Sequence, residues 1–188
     1  HQAAGQIQSH ARSVSFAGYA YLASHLDLLA AFGADAEAAT LHYIEYGANE
    51  GRSWDMRAGL DKITSGQTGD GNANTLTGGA EAELLVGMGG DDTLDGRGGD
   101  DVLVGGSDSD TFVFTDGFEN DVIADFNALD DNEKIDLAEV SGSTDFNDLV
   151  NNHLSTVSGV VTISDGAATI AQNGVNINDL DVDDFIFV

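Results

Sequence analysis

GDGNANTLT (69–77), GGAEAELLV (78–86), GMGGDDTLD (87–95), GRGGDDVLV (96–104) and GGSDSDTFV (105–113) are five successive versions of one nine-residue unit, and their shared columns decide the fold. Glycine holds the first position of all five and recurs within the first four positions of each. That is the pattern of a turn needing positive φ or close approach of backbone to backbone. The sixth position always carries a side-chain oxygen (Asn74, Glu83, Asp92, Asp101, Asp110), and the eighth a large apolar group (Leu76, Leu85, Leu94, Leu103, Phe112). The residues after the turn read as a short strand, Asp-Thr-Leu or Asp-Val-Leu, with one inward apolar side chain per unit. Such a strand cannot fold alone, but stacked units bury a continuous apolar row. A flexible Gly/Asp linker has similar composition; a register kept over five units with an apolar column argues against it.

The unit resembles GGxGxDxUx, the repeat of the RTX, or hemolysin-type, calcium-binding proteins. That resemblance implies a mainly β fold: a right-handed parallel β-roll in which units n and n+2 stack on alternate edges, with calcium between stacked turns. Calcium takes six to eight hard oxygens at about 2.3–2.6 Å, which suits main-chain carbonyls supplemented by carboxylates. Carried over by position, one edge pairs Asn74 with Asp92 and Asp92 with Asp110, and the other pairs Glu83 with Asp101, for three or more ions. The implied turn residues are Gly87, Gly89, Gly96, Gly98, Gly105 and Ser107. Two units depart from the pattern: Asn74 is neutral, and the second unit has Glu81 in place of its fourth-position glycine and Glu83 in place of aspartate. Weaker or distorted sites are expected there. The fifth unit replaces its fourth-position glycine with Asp108.

The chain has 188 residues and a formal charge of -27, from 33 acids and 6 Lys or Arg. Residues 66–113 hold 10 acids against 1 base and residues 114–188 hold 16 against 1. This balance argues against nucleic acid or anionic lipid as a partner, and no apolar run reaches the length of a membrane span. Cysteine and proline are absent, so disulfides cannot staple an extracellular β domain and calcium is the available staple. No cleavable signal peptide is recognisable, and residues 1–13 read as a tag remnant or disordered lead.

Residues 14–65 change to helical spacing. LDLLAAF (26–32) runs to Gly33, and a second helix from Ala36 to Tyr46, capped by Asp35, stops at Gly47. Phe16, Tyr19, Leu22, Leu29, Leu41 and Trp54 are among its expected core residues. YLASHLDLLAAFG followed by HYIEYGANEGR resembles a small helical module found beside RTX repeats in secreted and surface-layer proteins of bacteria, matched here at Tyr21, Leu22, Asp27, Leu28, His42, Tyr43, Gly47, Glu50, Gly51 and Arg52. Surface-layer relatives imply attachment to lipopolysaccharide or another cell-surface glycan, with Tyr43, Tyr46 and Arg52 as candidate contacts; packing roles suit His42 and Tyr43 better.

Residues 114–188 are expected to form a β-rich cap. TFVFTDGFENDVIADFNALDDNEKIDLAEV (111–140) alternates apolar and acidic positions as short strands do. It resembles the segment that closes the roll in serralysin-type proteins, where the Asp before Phe often holds calcium. That places Asp125, with Asp121 or Asp116, on the ligand list. Residues 143–153 carry a capping pattern and an apolar stripe of Phe146, Leu149 and Val150, hence a short helix. VSGVVTIS, AATIAQ and GVNI, separated by Asp165-Gly166 and Asn173-Gly174, are expected to form a meander that covers the open end of the roll. The acidic-then-apolar INDLDVDDFIFV resembles the uncleaved signal read by a type I exporter, with Phe185 to Val188 as the residues read; as structure, a last strand on the meander is expected.

No HExxH, GxSxG or cysteine nucleophile is present, and the repeat accounts for most paired acids, so no catalytic role is expected. The residues point to a calcium-binding module that folds after type I secretion of a larger extracellular protein from a Gram-negative cell. Two alternatives are a surface-layer or adhesin fragment that binds glycan, and the non-catalytic tail of a secreted protease, lipase or lyase.

Overall fold

The computed structural model describes Ile63 and residues 65–188, apart from 130, 131, 158 and 173. The lead at 1–13 and, save Ile63 and Ser65, the helical module at 14–65 lie outside the described residues.

Strands alternate between two sheets. In the first, β1 (Ser65–Thr68), β3 (Glu83–Gly89), β5 (Val102–Ser107) and β7 (Asn120–Ile123) pair in parallel. In the second, β2 (Thr75–Thr77), β4 (Thr93–Asp95), β6 (Thr111–Thr115) and β8 (Lys134–Glu139) do the same. Leu76 lies opposite Leu94 and Leu94 opposite Phe112, while Leu85 lies opposite Leu103. Two nine-residue units therefore make one coil, and the expected stacking of unit n on unit n+2 is the one that forms. The fold is a parallel β-roll. All five eighth-position side chains are buried, and the same core continues into Ile123 and Ile135 beyond the repeats. Each three-residue strand is too short to stand alone; the row of inward residues between the sheets supplies the burial that fixes it.

Two features of the roll lie outside the repeat pattern. Ser65 pairs with Glu83 and Thr68 with Val86, so the stretch before the first unit already forms a strand in register. After the repeats, Val102 lies opposite Val122 and Thr111 opposite Lys134, offsets of 20 and 23 residues instead of 18. The sheets thus continue across residue 113 through longer turns.

The short helix appears as α1 (Phe146–Asp148) continued by a wider π turn (Leu149–His153). Asp145 caps it by accepting the Asp148 amide at 2.9 Å, as Asx residues at this position do. Leu149 is fully buried and Phe146 packs on the core, but Val150 is exposed. β9 (Leu154–Val157), β10 (Val160–Asp165) and β11 (Ala168–Gln172) follow as antiparallel neighbours. The Asp165-Gly166 hairpin forms, with Gly166 at φ +63°.

The meander meets the end of the roll as added strands: β11 pairs in parallel with β7, Thr169 opposite Asn120, and Val161, Ile163 and Ile170 are buried in the same core as Leu103 and Ile123. The open edge of β7 presents unpaired main-chain groups, and a strand satisfies them where a covering layer would not. Two expectations need correction. GVNI is not a strand, because Asn176 turns the chain locally, its side chain accepting the Asn178 amide at 3.1 Å and its carbonyl the Asp179 amide at 2.9 Å. Asparagine offers the backbone this alternative to a ladder. Finally β12 (Phe185–Ile186) pairs in parallel with β8 of the roll, not with the meander. Phe185 is held there by Phe146 and Phe187, with ring centroids at 5.8 and 6.0 Å.

Candidate metal centre

Glycine-rich turns between the strands carry the chain from one sheet to the other, so equivalent residues recur every 18 positions along an edge. Each sixth-position aspartate is tied to the coil before it. Asp92 Oδ1 accepts the Asn74 amide at 2.7 Å, Asp101 Oδ1 the Glu83 amide at 2.8 Å and Asp110 Oδ1 the Asp92 amide at 2.9 Å. The pairs expected from the resemblance are thus brought together. They meet as carboxylate on amide, and that accounts for one oxygen of each.

The other oxygen has no partner. Asp92, Asp101 and Asp110 are at most 1% exposed, and in each the Oδ2 atom is buried without a hydrogen bond. A buried carboxylate oxygen left unpaired is strongly unfavourable unless a cation meets it. Oxygen atoms converge around Asp92 Oδ2 and at the equivalent turns of the first two units. A Cβ built on Gly87 would meet Asp92 Oδ2 at 2.2 Å and the Gly105 carbonyl oxygen at 2.5 Å. On Gly69 it would meet Asn74 Oδ1 at 2.1 Å and the Gly87 carbonyl at 2.4 Å, and on Gly78 the Gly96 carbonyl at 2.5 Å and Glu83 Oε2 at 2.6 Å. A Cβ on Gly96 would meet Asp101 Oδ2 at 2.3 Å and one on Gly105 would meet Asp110 Oδ2 at 2.1 Å. The first-position glycine is therefore required for a reason besides backbone freedom: a sixth-position oxygen occupies the side where a methyl group would project.

Among the described residues no three Asp, Glu or His side chains converge on one point. An ion at these turns would draw mainly on main-chain carbonyls, with single carboxylate oxygens added. Hard oxygen donors in a flexible turn fit calcium better than a thiolate- or imidazole-seeking metal. The remaining turn residues hold the stack: the Gly89 amide donates to the Asp70 carbonyl at 3.1 Å, the Gly98 amide to the Gly79 carbonyl at 3.2 Å, and Ser107 lies opposite Gly89 in the β3–β5 pair.

Beyond the repeats, Asp121 continues the ladder, its Oδ1 accepting the Asp101 amide at 2.8 Å while the side chain is 2% exposed. Asp125 is bound at both oxygens by main-chain donors, the Gly105 amide at 3.0 Å and the Gly106 amide at 2.9 Å. Asp116 stands apart, accepting the Ser141 amide at 2.8 Å. Glu133 is also buried, one residue before Lys134, which pairs with Thr111, and so occupies the column of Asp110. No motif marks Glu133; only the parallel register of the longer turn finds it. Ser65 was likewise hidden, and its hydroxyl donates to Glu83 Oε1 at 3.0 Å.

Burial pushes Asp92, Asp101, Asp110, Asp121 and Asp125 upward. Asp101 rises to about 8, first through burial and then through Asp121, Glu83 and Asp100. Asp110 and Asp121 rise to about 7, again mainly through burial. A folded-state value above the ordinary 3.8 means that the fold is favoured while the group is protonated. The contribution is whole below pH 3.8 and is lost as pH rises through 7 to 8. The calcium-free chain should therefore be more stable at pH 5 than at pH 8, and Asp101→Asn should flatten that dependence. Thermal melts of chelating-resin-treated protein across this range check it; stability that increases toward pH 8 without calcium would contradict the burial argument.

A family model for the RTX calcium-binding nonapeptide repeat, in four copies, matches residues 77–112. No curated protein matches the chain. Among solved structures, extracellular lipase LipA from Serratia marcescens aligns at 22% identity and TM-score 0.42, covering 65% of this chain and 21% of the lipase. The AlgE6R2 subunit of the Azotobacter vinelandii mannuronan C5-epimerase aligns at 25% identity and TM-score 0.44, covering 67% of this chain and 92% of that subunit. The AlgE6R3 subunit of the same epimerase gives 18% identity and TM-score 0.27, over 63% and 80% of the two chains. This chain thus spans about a fifth of the length of the lipase. The repeat match, the 18-residue coil and the oxygen-lined glycine turns agree: the chain carries RTX calcium-binding nonapeptide repeats, folded as a parallel β-roll.

Proposed function

We propose that this chain is a non-catalytic calcium-binding module that folds when calcium is bound, after type I secretion of a larger extracellular protein. The observation that carries the reading is the set of buried, unpartnered Oδ2 atoms of Asp92, Asp101 and Asp110. At cytosolic calcium, clustered carboxylates repel and glycine-rich turns lose entropy on ordering, so the roll is disfavoured. Outside the cell the ion reverses the balance. A ligand that binds only the folded state stabilises it by about 2.7 kcal/mol per site at a hundredfold excess over Kd, and a few such sites match the net stability of a typical domain. RTX repeats occur in secreted proteins, and among the described residues no helix is long and apolar enough to cross a membrane.

Export by a type I system is supported by the acidic-then-apolar order of residues 181–188. The exporter would read that segment unfolded, before Phe185 joins the second sheet. Deleting Asp184–Val188 should abolish secretion from a host carrying a type I exporter while the cytosolic pool persists; secretion at the full-length level would remove this part of the reading. Attachment to lipopolysaccharide or another glycan through Tyr43, Tyr46 and Arg52 is the second reading. It rests on the helical resemblance, and retention of the purified chain on lipopolysaccharide would favour it.

A further inference from the structure

The five turns are not alike. In the third, fourth and fifth units the second and fourth positions both adopt positive φ: Met88 at +86° and Gly90 at +88°, Arg97 at +67° and Gly99 at +110°, Gly106 at +112° and Asp108 at +75°. Residues 69–83, which hold the turns of the first two units, contain no positive φ. The difference redirects one amide. In the first unit the second-position amide, of Asp70, donates to Asn74 Oδ1 at 2.7 Å. In the second unit the Gly79 amide donates in the same way to Glu83 Oε2. With positive φ at the second position that amide turns elsewhere: the Arg97 amide goes to Asp95 Oδ1 at 3.1 Å and the Gly106 amide to Asp125 Oδ2 at 2.9 Å. The sixth-position oxygen is then left without a donor, and these are the turns in which Oδ2 is buried and unpartnered.

We infer that the array is divided: the turns of the first two units are closed by the protein's own hydrogen bonds and take no calcium, whereas the turns of the third, fourth and fifth units each require one ion. This deepens the calcium reading and rests on it. Asn74 and Glu83 then act as hydrogen-bond acceptors that shape a metal-independent first coil, onto which the calcium-dependent coils stack. Supporting contacts lie in the same coil. Glu83 Oε1 is engaged by the Ser65 hydroxyl, and Asp70 Oδ1 gathers the Asn72 amide and carboxamide, both at 2.9 Å. A side-chain oxygen already bonded to a local N–H is a poorer ligand than one that has lost every donor, because binding the ion there must first break the turn. The substitutions in the sequence agree. The two units that leave aspartate at position six are the two whose second-position amide is turned inward.

The test compares ion counts in the full-length chain by equilibrium dialysis with radioactive calcium, alongside calcium-free thermal melts. Wild type should bind one ion for each of the three orphaned oxygens. Glu83→Gln and Asn74→Ala should bind the same number with midpoints shifted less than about twofold, and Asn74→Ala, which loses the acceptor of the Asp70 amide, should melt lower without calcium. Asp101→Asn should bind one ion fewer without lowering the calcium-free melt. Loss of an ion from Glu83→Gln, in a protein whose wild type binds calcium, overturns the division alone. A wild-type chain that takes up no calcium overturns both the division and the reading beneath it. Glu83→Gln keeps an acceptor for the Gly79 amide, so it guards against a variant that fails only because it cannot fold.

Discussion

The double variant Asp92→Asn, Asp110→Asn should lose the calcium-driven gain of structure on one whole edge of the roll. Each side chain has two roles that asparagine separates. Oδ1 ties its coil to the preceding one by accepting the Asn74 or Asp92 amide, and a carboxamide oxygen can still do that. Oδ2 is the buried atom with no partner, and a carboxamide N–H₂ there repels a cation. Removing two sites that each contribute about 2.7 kcal/mol at a hundredfold excess of ligand removes roughly 5 kcal/mol, a large share of the stability of an ordinary domain. The variant should therefore bind two fewer ions by titration calorimetry and melt far below wild type in calcium. In calcium-free buffer at pH 8 the sign reverses, because two desolvated carboxylates have become neutral, and the variant should be no less stable than wild type. A calcium titration indistinguishable from that of wild type would show that these carboxylates do not bind the ion.

Gly87→Ala should be nearly as damaging, although it adds a single methyl group. Gly87 does not sit at positive φ, so alanine meets no backbone penalty there. The harm is spatial. The new Cβ would lie 2.2 Å from Asp92 Oδ2 and 2.5 Å from the Gly105 carbonyl oxygen. The carbonyl belongs to the adjoining coil and cannot swing aside as a flexible side chain would. Overpacking of this kind typically costs about 1–3 kcal/mol, and here it also fills the space where oxygens converge, so calcium affinity and stability should fall together. Gly71→Ala is the matched control, since a Cβ there meets nothing within 4 Å. Calcium-dependent melts of the two variants decide the matter. Equal behaviour would mean that the first-position glycine serves the turn only through its backbone.

Where the sequence could be read and where it could not has a common cause. The 18-residue coil, the alternation of sheets and the burial of Leu76, Leu85, Leu94, Leu103 and Phe112 follow from one periodic pattern, and period is what a sequence displays most openly. The elements that escaped are those that join the roll without repeating it. Ser65–Thr68 has no apolar column, with Gln67 where the repeats have leucine, and is recruited by the open edge of β3. Glu133 falls in the Asp110 column only because a longer turn restores the register at Lys134. GVNI has strand composition, yet Asn176 diverts it into a turn through two local hydrogen bonds. At the site, the sixth-position column was legible as oxygen donors. Its division into bonded and orphaned oxygens depends on the direction of one peptide amide at position two, and Met88 and Arg97 at that position give no hint of a positive φ.

Calcium is the proposed folding cofactor of this roll. Far-UV circular dichroism of the chelator-stripped chain, titrated with calcium at pH 8 and with magnesium in parallel, tests it most directly. A cooperative gain of β signal with calcium, and none with magnesium at the same concentrations, is the predicted result. A chain already fully folded in chelator at this pH, with a spectrum and melting temperature that calcium leaves unchanged, would contradict it.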